Sequence, residues 1–441
     1  MHSRWILRSL ALLAVLTLAL PVAAFAQTSR VEGMALQGDY IKDYTGIYTY
    51  TSEVPNVGNL IYGELGTLTD PNNPAADASN PLTLDRSMGA ILGNLWDGRL
   101  GTWGIHLREE SPSLGQGDAS SQPNPGFGGI DPNHNTNEAI DLMWGRKSGT
   151  TSFGLRFNRS FFKAQDETPG VTTSLEFDPS ASPNLARNVI GIGGGIGFEM
   201  NPNTNVEVSV LFQNRSFEAT AGGVTDEEDK PTTWSVSGRA MWQWQPNVMV
   251  VPVLKWYSFD LSTKTSAPGS FDNTLSGWQI GGAGNWTLGT NDLFILGVTF
   301  AQNRVEQEED LFGIGASARG AGATVSDDLK VTETIAPQVF AALETHVNNW
   351  LTLRWGASKG AYTKIEAEDR DATPESIKAN LSPFKMNIGA GAKVGTLQLD
   401  AVVNTFFPQT LGGFFGNISQ PTGIGGTGFV AFPKVTATYP F

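Results

Sequence analysis

Cysteine is absent from this sequence, which excludes a disulfide framework and any thiol-ligated metal. Histidine is nearly absent: past the first 26 residues only His106, His134 and His346 remain. No local spacing joins them to an Asp or Ser, so no acid–base pair is set up and no catalytic residue is assigned. Nothing calls for a cofactor. The Gly-rich GIGGGIGFEM at 191–200 lacks a closing Lys-Ser/Thr and a following helix, so it is not a phosphate loop. Its glycines suit relief of crowding inside a curved strand. Basic residues are few, 29 against 43 acidic, for a net charge of −14. Phosphate backbones require clustered Lys and Arg, which excludes nucleic acid as a partner.

Long apolar runs are missing too, with one exception at the start. Residues 1–26 carry Arg4 and Arg8, the run LALLAVLTLALPVAA, and Ala24-Phe25-Ala26 before Gln27. That order reads as a secretory signal with its cleavage site, so the chain is expected to be exported. Losing those two arginines, with no acid among the 26 residues, takes the charge from −14 to −16. No later stretch approaches the ~20 continuous apolar residues of a spanning helix. Neither a long amphipathic helix nor a linker is evident, although ~415 residues would ordinarily make two or more soluble domains.

What is present is alternation. In TWSVSGRAMWQW, Trp234, Val236, Gly238, Ala240, Trp242 and Trp244 share one face, and Ser235, Ser237, Arg239 and Gln243 take the other, with Met241 as the exception. Period two is the signature of a strand with one apolar and one wet face. Strands from 204, 276, 384 and 396 read the same way, while 248–259, 292–303 and 87–96 alternate less cleanly. Short connections fall at Asp97-Gly98, Ser148-Gly149, Asn201–Asn203, Pro246-Asn247, Thr290-Asn291, Asn348-Asn349 and Gly395, all with turn chemistry. They alternate strictly with long polar connections near 69–84, 111–135, 163–186, 220–231, 263–274, 307–329, 367–382 and 408–428. Counting strands between them gives about sixteen, or fourteen if the first pair is not formed.

Long loops kept to one end, and strands of about 11–15 residues where soluble ones average 5–6, predict an all-β fold. Specifically, they predict a transmembrane antiparallel β-barrel with short periplasmic turns and long extracellular loops. Closure removes the edges that lipid cannot hydrate. Trp96, Trp103, Trp144, Trp242, Trp244, Trp286, Trp350 and Trp355 lie near turn-side strand ends, where indoles sit among headgroups. Residues 1–26 are then the signal, 27–57 a lead-in or small lumen hatch, and 58–441 the barrel.

The chain ends VAFPKVTATYPF, which resembles the C-terminal β-signal of bacterial outer-membrane barrels: Val435, Ala437, Tyr439 and Phe441 match its alternating apolar and terminal aromatic positions. The resemblance implies a Gram-negative outer membrane, its lipid, and the barrel-assembly machinery as partners. It also implies porin-like homotrimers. Pro440 departs from the pattern and removes a ladder donor. A weaker likeness links RVEGMALQGDYIKDYTGIYTYTSEVPNV, at 30–57, to the fatty-acid and hydrocarbon transporters of the outer membrane. Gly33, Asp39 and Asp43 echo their pre-barrel segment, but Val54-Pro55-Asn56 stands where they have Asn-Pro-Ala. That likeness implies a hatch inside the barrel.

By parity Arg108, Asp141, Arg156, Glu207, Arg215, Arg239, Glu344, Arg354, Lys385, Lys393 and Asp400 point inward, since Arg or Lys facing mid-depth lipid costs about 2–4 kcal/mol. They line a watery lumen, in opposed rows that set up a transverse field, or they pair across a plugged one. The leading expectation is a passive channel for small polar solutes or ions. The alternatives are a hatch-plugged transporter of hydrophobic compounds and a barrel displaying its loops for adhesion or assembly. Acidic runs at 164–169, 225–231, 306–310 and 366–371 read as solvated loops, or as a vestibule that concentrates cations or binds Ca²⁺; no metal site is assigned.

Overall fold

The computed structural model describes residues 28–67, 84–93, 95–96, 98–108, 138–165, 184–221, 224–228, 232–260, 262–265, 270–271, 274–307, 329–369, 376–382, 384–403 and 434–441. Residues 1–27 and most of the long connections lie outside these residues.

Sixteen antiparallel strands form the wall. They are β1 (Leu60–Thr67), β2 (Leu84–Leu92), β3 (Thr102–Arg108), β4 (Glu138–Ser148), β5 (Thr151–Gln165), β6 (Asn184–Asn201), β7 (Thr204–Ala221) and β8 (Thr232–Gln245). The second half comprises β9 (Val248–Asp260), β10 (Thr274–Leu288), β11 (Asp292–Gln307), β12 (Leu329–His346), β13 (Leu351–Gly360 and Thr363–Asp369), β14 (Ser376–Leu381 and Phe384–Val394), β15 (Leu397–Val403) and β16 (Lys434–Pro440). Each pairs with its sequence neighbour. The sheet closes because β16 pairs antiparallel with β1, from Leu60↔Pro440 to Gly66↔Lys434. A closed sheet has no edge, which permits strands in hydrocarbon. No helix among the described residues is long and apolar enough to cross a membrane.

Burial is inverted relative to a soluble protein. Ile192 and Leu254 stand 63% and 58% exposed, while Asp141 and Arg156 are 0% and 1% exposed. In β5 the apolar Phe153, Leu155, Phe157 and Phe161 face out; Ser152, Arg156, Asn158 and Ser160 face in and are buried. The outer face is therefore an apolar belt suited to lipid, and the core lies within the barrel. At the short-turn end Trp96, Trp242, Trp244 and Trp350 are exposed. There the indoles of Trp103 and Trp144 both donate to the Leu100 carbonyl oxygen, at 3.0 and 2.8 Å.

At the other end several strands outrun the expected loop boundaries. Val224–Glu228 pairs with Thr263–Thr265, and Thr363–Asp369 pairs with Ser376–Leu381. Their polar composition suits a ladder standing in water past the apolar belt. β13 is interrupted opposite Pro337, which has no N–H to give the ladder; there Ala336 N–H donates to Tyr362 O and Ala361 N–H to Pro337 O.

Residues 28–59 do not join the wall. They form α1 (Thr28–Gly33) and three 3₁₀ turns, Gly38–Tyr40, Tyr44–Tyr48 and Thr51–Asn56. Asp43 starts the second turn, its carboxylate accepting from the Thr45 and Gly46 N–H groups. This segment packs against inward-facing side chains near the short-turn ends of the strands.

Candidate functional site

The barrel admits the N-terminal segment because the wall lacks side chains where the two backbones meet. A Cβ on Gly154 would collide with the Thr51 carbonyl, and one on Gly356 with the Met34 carbonyl. The run at 191–200 serves the same contact: Gly195 and Gly197 face Thr51 and Ser52. Two bonds fasten this point, Thr51 N–H to Ser209 Oγ at 3.2 Å and Thr51 Oγ1 to Gly154 O at 3.3 Å.

Charged groups of the wall are grouped around the segment. Arg239 donates Nε to Glu207 Oε2 at 2.5 Å and Nη1 to the carbonyls of Asp39 and Ile41 at 3.2 and 3.3 Å. Its guanidinium lies over the Tyr50 ring, 4.1 Å from the centroid, and Nη2 is 3.9 Å from Glu53 Oε1. Lys255 Nζ meets Asp39 Oδ2 at 2.6 Å. Arg156 donates to Asp141 at 2.7 Å and to the Tyr48 carbonyl at 2.8 Å. Around Glu344, Arg30 forms bonds of 2.6 and 2.7 Å and Arg354 a third of 2.6 Å, while Arg354 also holds Asp400.

Rather than forming opposed rows, acids and bases stand side by side. Glu207 is the register partner of Arg239, and Glu344 that of Arg354. Buried ions need such partners, because removing one member leaves an uncompensated charge at a cost of about 3–5 kcal/mol. Glu53 and Arg30 of the segment bear the mark of this environment. Glu53 has its pKa pushed up to about 8, first by burial and then by hydrogen bonding and repulsion from Glu207. For Arg30, burial acts to lower the pKa, but the Glu344 carboxylate outweighs it and the guanidinium is held charged.

Asp141, Arg156, Glu207, Arg239, Glu344, Arg354 and Asp400 thus lie buried together around the N-terminal segment. Lys385 is exposed and Lys393 half-buried. Arg108 and Arg215 sit in β3 and β7, opposite Ala139 and Val189; their side chains lie outside the described set. His106 is buried, its Nδ1 2.9 Å from Tyr48 Oη and 2.8 Å from Tyr62 Oη, and those two hydroxyls are 2.7 Å apart. His346 is exposed at the short-turn end, and His134 lies outside the described residues. Among the described residues no group of three His, Asp or Glu could hold a metal ion.

Sequence reasoning passed over Arg30, Glu53, Glu64, Lys255 and Lys434, most of whose partners are far along the chain. A signal for the contact existed in the strands that alternate poorly. Met241, Val251, Val253, Ala283, Ile295, Phe340 and Ala342 are apolar yet face inward, and they bury Val31, Met34, Leu36, Tyr40 and Ile41 of the segment. Tyr40 meets Phe340 with ring centroids 4.7 Å apart and shares a 2.9 Å hydrogen bond with Thr299. Nearer the long-loop end the inner wall stays apolar through Tyr257, Phe259, Leu275, Val305 and Val331, all buried. A polar chain crosses it: Tyr257 bonds to Asn303, which donates to Glu333 at 2.9 Å.

A closed sixteen-stranded barrel with an apolar exterior and its charges inside is a barrel of the bacterial outer-membrane type. No family model and no curated protein matches the chain. Among solved structures, a FadL homologue of Pseudomonas aeruginosa aligns with 95% of this chain and 99% of its own, at 11% identity and TM-score 0.38. The toluene transporter TodX of Pseudomonas putida aligns with 95% and 97%, at 8% identity and TM-score 0.38. The copper transporter OprC gives 11% identity and TM-score 0.39 over 78% of this chain. This chain spans 61% of the length of OprC and 63% of that of CdiB from Escherichia coli. Such low scores say nothing about what the lumen carries; the barrel class rests on the closed ladder and the outer belt.

Proposed function

We propose that this protein passes hydrophobic or amphipathic compounds across a bacterial outer membrane, through a lumen that its N-terminal segment occupies toward the short-turn end. The observation that carries this reading is the inner wall of β9 to β12: past the segment it continues with Tyr257, Phe259, Leu275, Val305 and Val331. An aqueous pore has no use for that much inward apolar surface; buried as they stand, these side chains form a dry lining, which a hydrophobic solute enters by displacing what covers them. The Tyr257–Asn303–Glu333 chain supplies polar atoms for a solute with one polar end. In this reading residues 1–26 direct export, and Val435, Ala437, Tyr439 and Phe441 present the last strand to the assembly machinery.

Reconstituted vesicles test it. Swelling in small sugars should be slight, and uptake of an apolar fluorescent probe should be fast and should fall with Phe259→Ser. Sugar swelling graded by solute size would overturn this reading in favour of a diffusion channel. The exposed Lys385 on the inner face of β14 favours that second reading.

A further inference from the structure

The barrel closes where its first and last strands meet, and that seam is short. β1 and β16 share seven register pairs, against seventeen between β6 and β7, and the ladders beside the seam are as thin, with six pairs between β2 and β3 and five between β15 and β16. One of the seven falls on Pro440, which offers no N–H to the ladder. On the lumen side the seam carries buried polar groups: Glu64 on β1, and Lys434 and Thr436 on β16. Glu64 and Thr436 are register partners.

Helix α1 lies directly over these groups. Thr436 Oγ1 donates to Glu64 Oε2 at 2.7 Å, across the seam. The one hydroxyl proton of Thr436 is thereby used, so Ser29 is the donor in the 2.6 Å Ser29–Thr436 contact. Lys434 Nζ stands 3.2 Å from Glu64 Oε1 and 3.4 Å from Glu32 Oε2. Ser29 and Glu32 thus cap a polar cluster whose other members come from both edges of the sheet. α1 also fastens to the adjoining wall, through Arg30 to Glu344 on β12 and through the Glu32 carbonyl, which accepts from Asn387 on β14.

We propose that α1 is an internal lock on the closing seam: Ser29 and Glu32 complete the Glu64–Lys434–Thr436 cluster and hold β1 against β16 while the barrel closes. This role belongs to assembly and is independent of what the lumen carries. Without α1 the same groups, already drawn into the lumen, lose one donor and one carboxylate, and the seam keeps only its ladder and the contacts of Glu64 with Thr436 and Lys434.

The test is refolding of the full exported chain from urea into lipid vesicles, following the fast-migrating closed form on unheated gels. Ser29→Ala with Glu32→Gln should slow closure by roughly fivefold, the rate equivalent of about 1 kcal/mol. Lys42→Gln, in the same segment but 3.7 Å from Glu53 and away from the seam, should close at the unmodified rate. Closure of the double variant at that rate overturns the lock, as does equal slowing by Lys42→Gln. A second variant does not depend on folding yield: Ser29→Cys with Thr436→Cys, in a chain with no other cysteine. Its oxidised form should unfold at higher urea than its reduced form; identical midpoints overturn the proposal.

Discussion

Arg30, two residues from the start of α1, grips Glu344 on β12 through two hydrogen bonds of 2.6 and 2.7 Å, and this paired contact ties the segment to the wall. Bidentate Arg–carboxylate bonding fixes geometry as well as supplying energy. Glu344 also serves Arg354, which in turn holds Asp400. Replacing Arg30 by Ala therefore leaves Glu344 with one cation in place of two. Arg30→Ala should weaken docking by about 3 kcal/mol, the low end of the cost of breaking a buried pair. The readouts are faster proteolysis within 28–59 and longer open dwell times in planar bilayers. In a double-mutant cycle, Glu344→Gln should remove much of that penalty.

The glycines of the wall make a steric counterpart. Gly154→Ala puts a methyl into the Thr51 carbonyl, whereas on Gly194 the nearest groups are Leu155 and the Gly154 carbonyl, at 3.7 and 3.8 Å. Gly154→Ala should open the segment to protease with the barrel still closed, and Gly194→Ala should behave as the unmodified protein. Equal protection of both variants would show that the backbone contact does not hold the segment.

Much of the wall was legible from the sequence, and the reason is physical. Period two persists wherever one face meets lipid and the other meets polar groups, as with Trp234 to Trp244 against Ser235 to Gln243. It fails where both faces are apolar. β9 buries Val251, Val253, Tyr257 and Phe259 inward while Leu254 and Trp256 stand exposed outward. Its irregularity was therefore information about what lies inside, and Met241 was the same message in a single residue. The contacts of segment 28–59 were not legible, although its likeness to the transporters' pre-barrel segment implied a hatch. Its turns have no period, and its partners, such as Lys255 for Asp39 and Glu344 for Arg30, are set by closure of the whole barrel. Opposed charge rows were a reasonable reading of parity alone. Register, which parity does not contain, made Glu207 and Arg239 neighbours.

Docking should also depend on pH through Glu53. Its pKa in the docked segment is about 8 and its ordinary value 4.5. Between these values the docked form keeps a proton that the undocked form has released, so docking loses stability with each unit of rising pH. The contribution is fully present below about 4.5 and gone above about 8. The groups facing Glu53 are Glu207 and Arg239 of the wall and Lys42 of the segment. Open probability in bilayers should climb from pH 5 to pH 8.5. Glu53→Gln, which keeps the neutral shape, should flatten that climb; an unchanged profile would assign the titration to another group.

The last strand separates recognition from stability. Tyr439 and Phe441 are 46% and 48% exposed on the outer face, so in the finished barrel both rings are available to lipid. Thr436 and Thr438, which alternate with them, are buried inside. Removing Phe441 should therefore change the urea midpoint of the refolded barrel little, since one partly lipid-exposed ring at a strand end contributes modestly. If the assembly machinery reads the terminal aromatic, Phe441→Ser should instead lower the amount of barrel inserted in cells several-fold. Pro440→Thr is the complementary change: it restores an N–H at the Leu60 register position and should raise the midpoint without altering insertion. A loss of in vitro stability as large as the loss of insertion for Phe441→Ser would place this residue among the structural contacts of the seam.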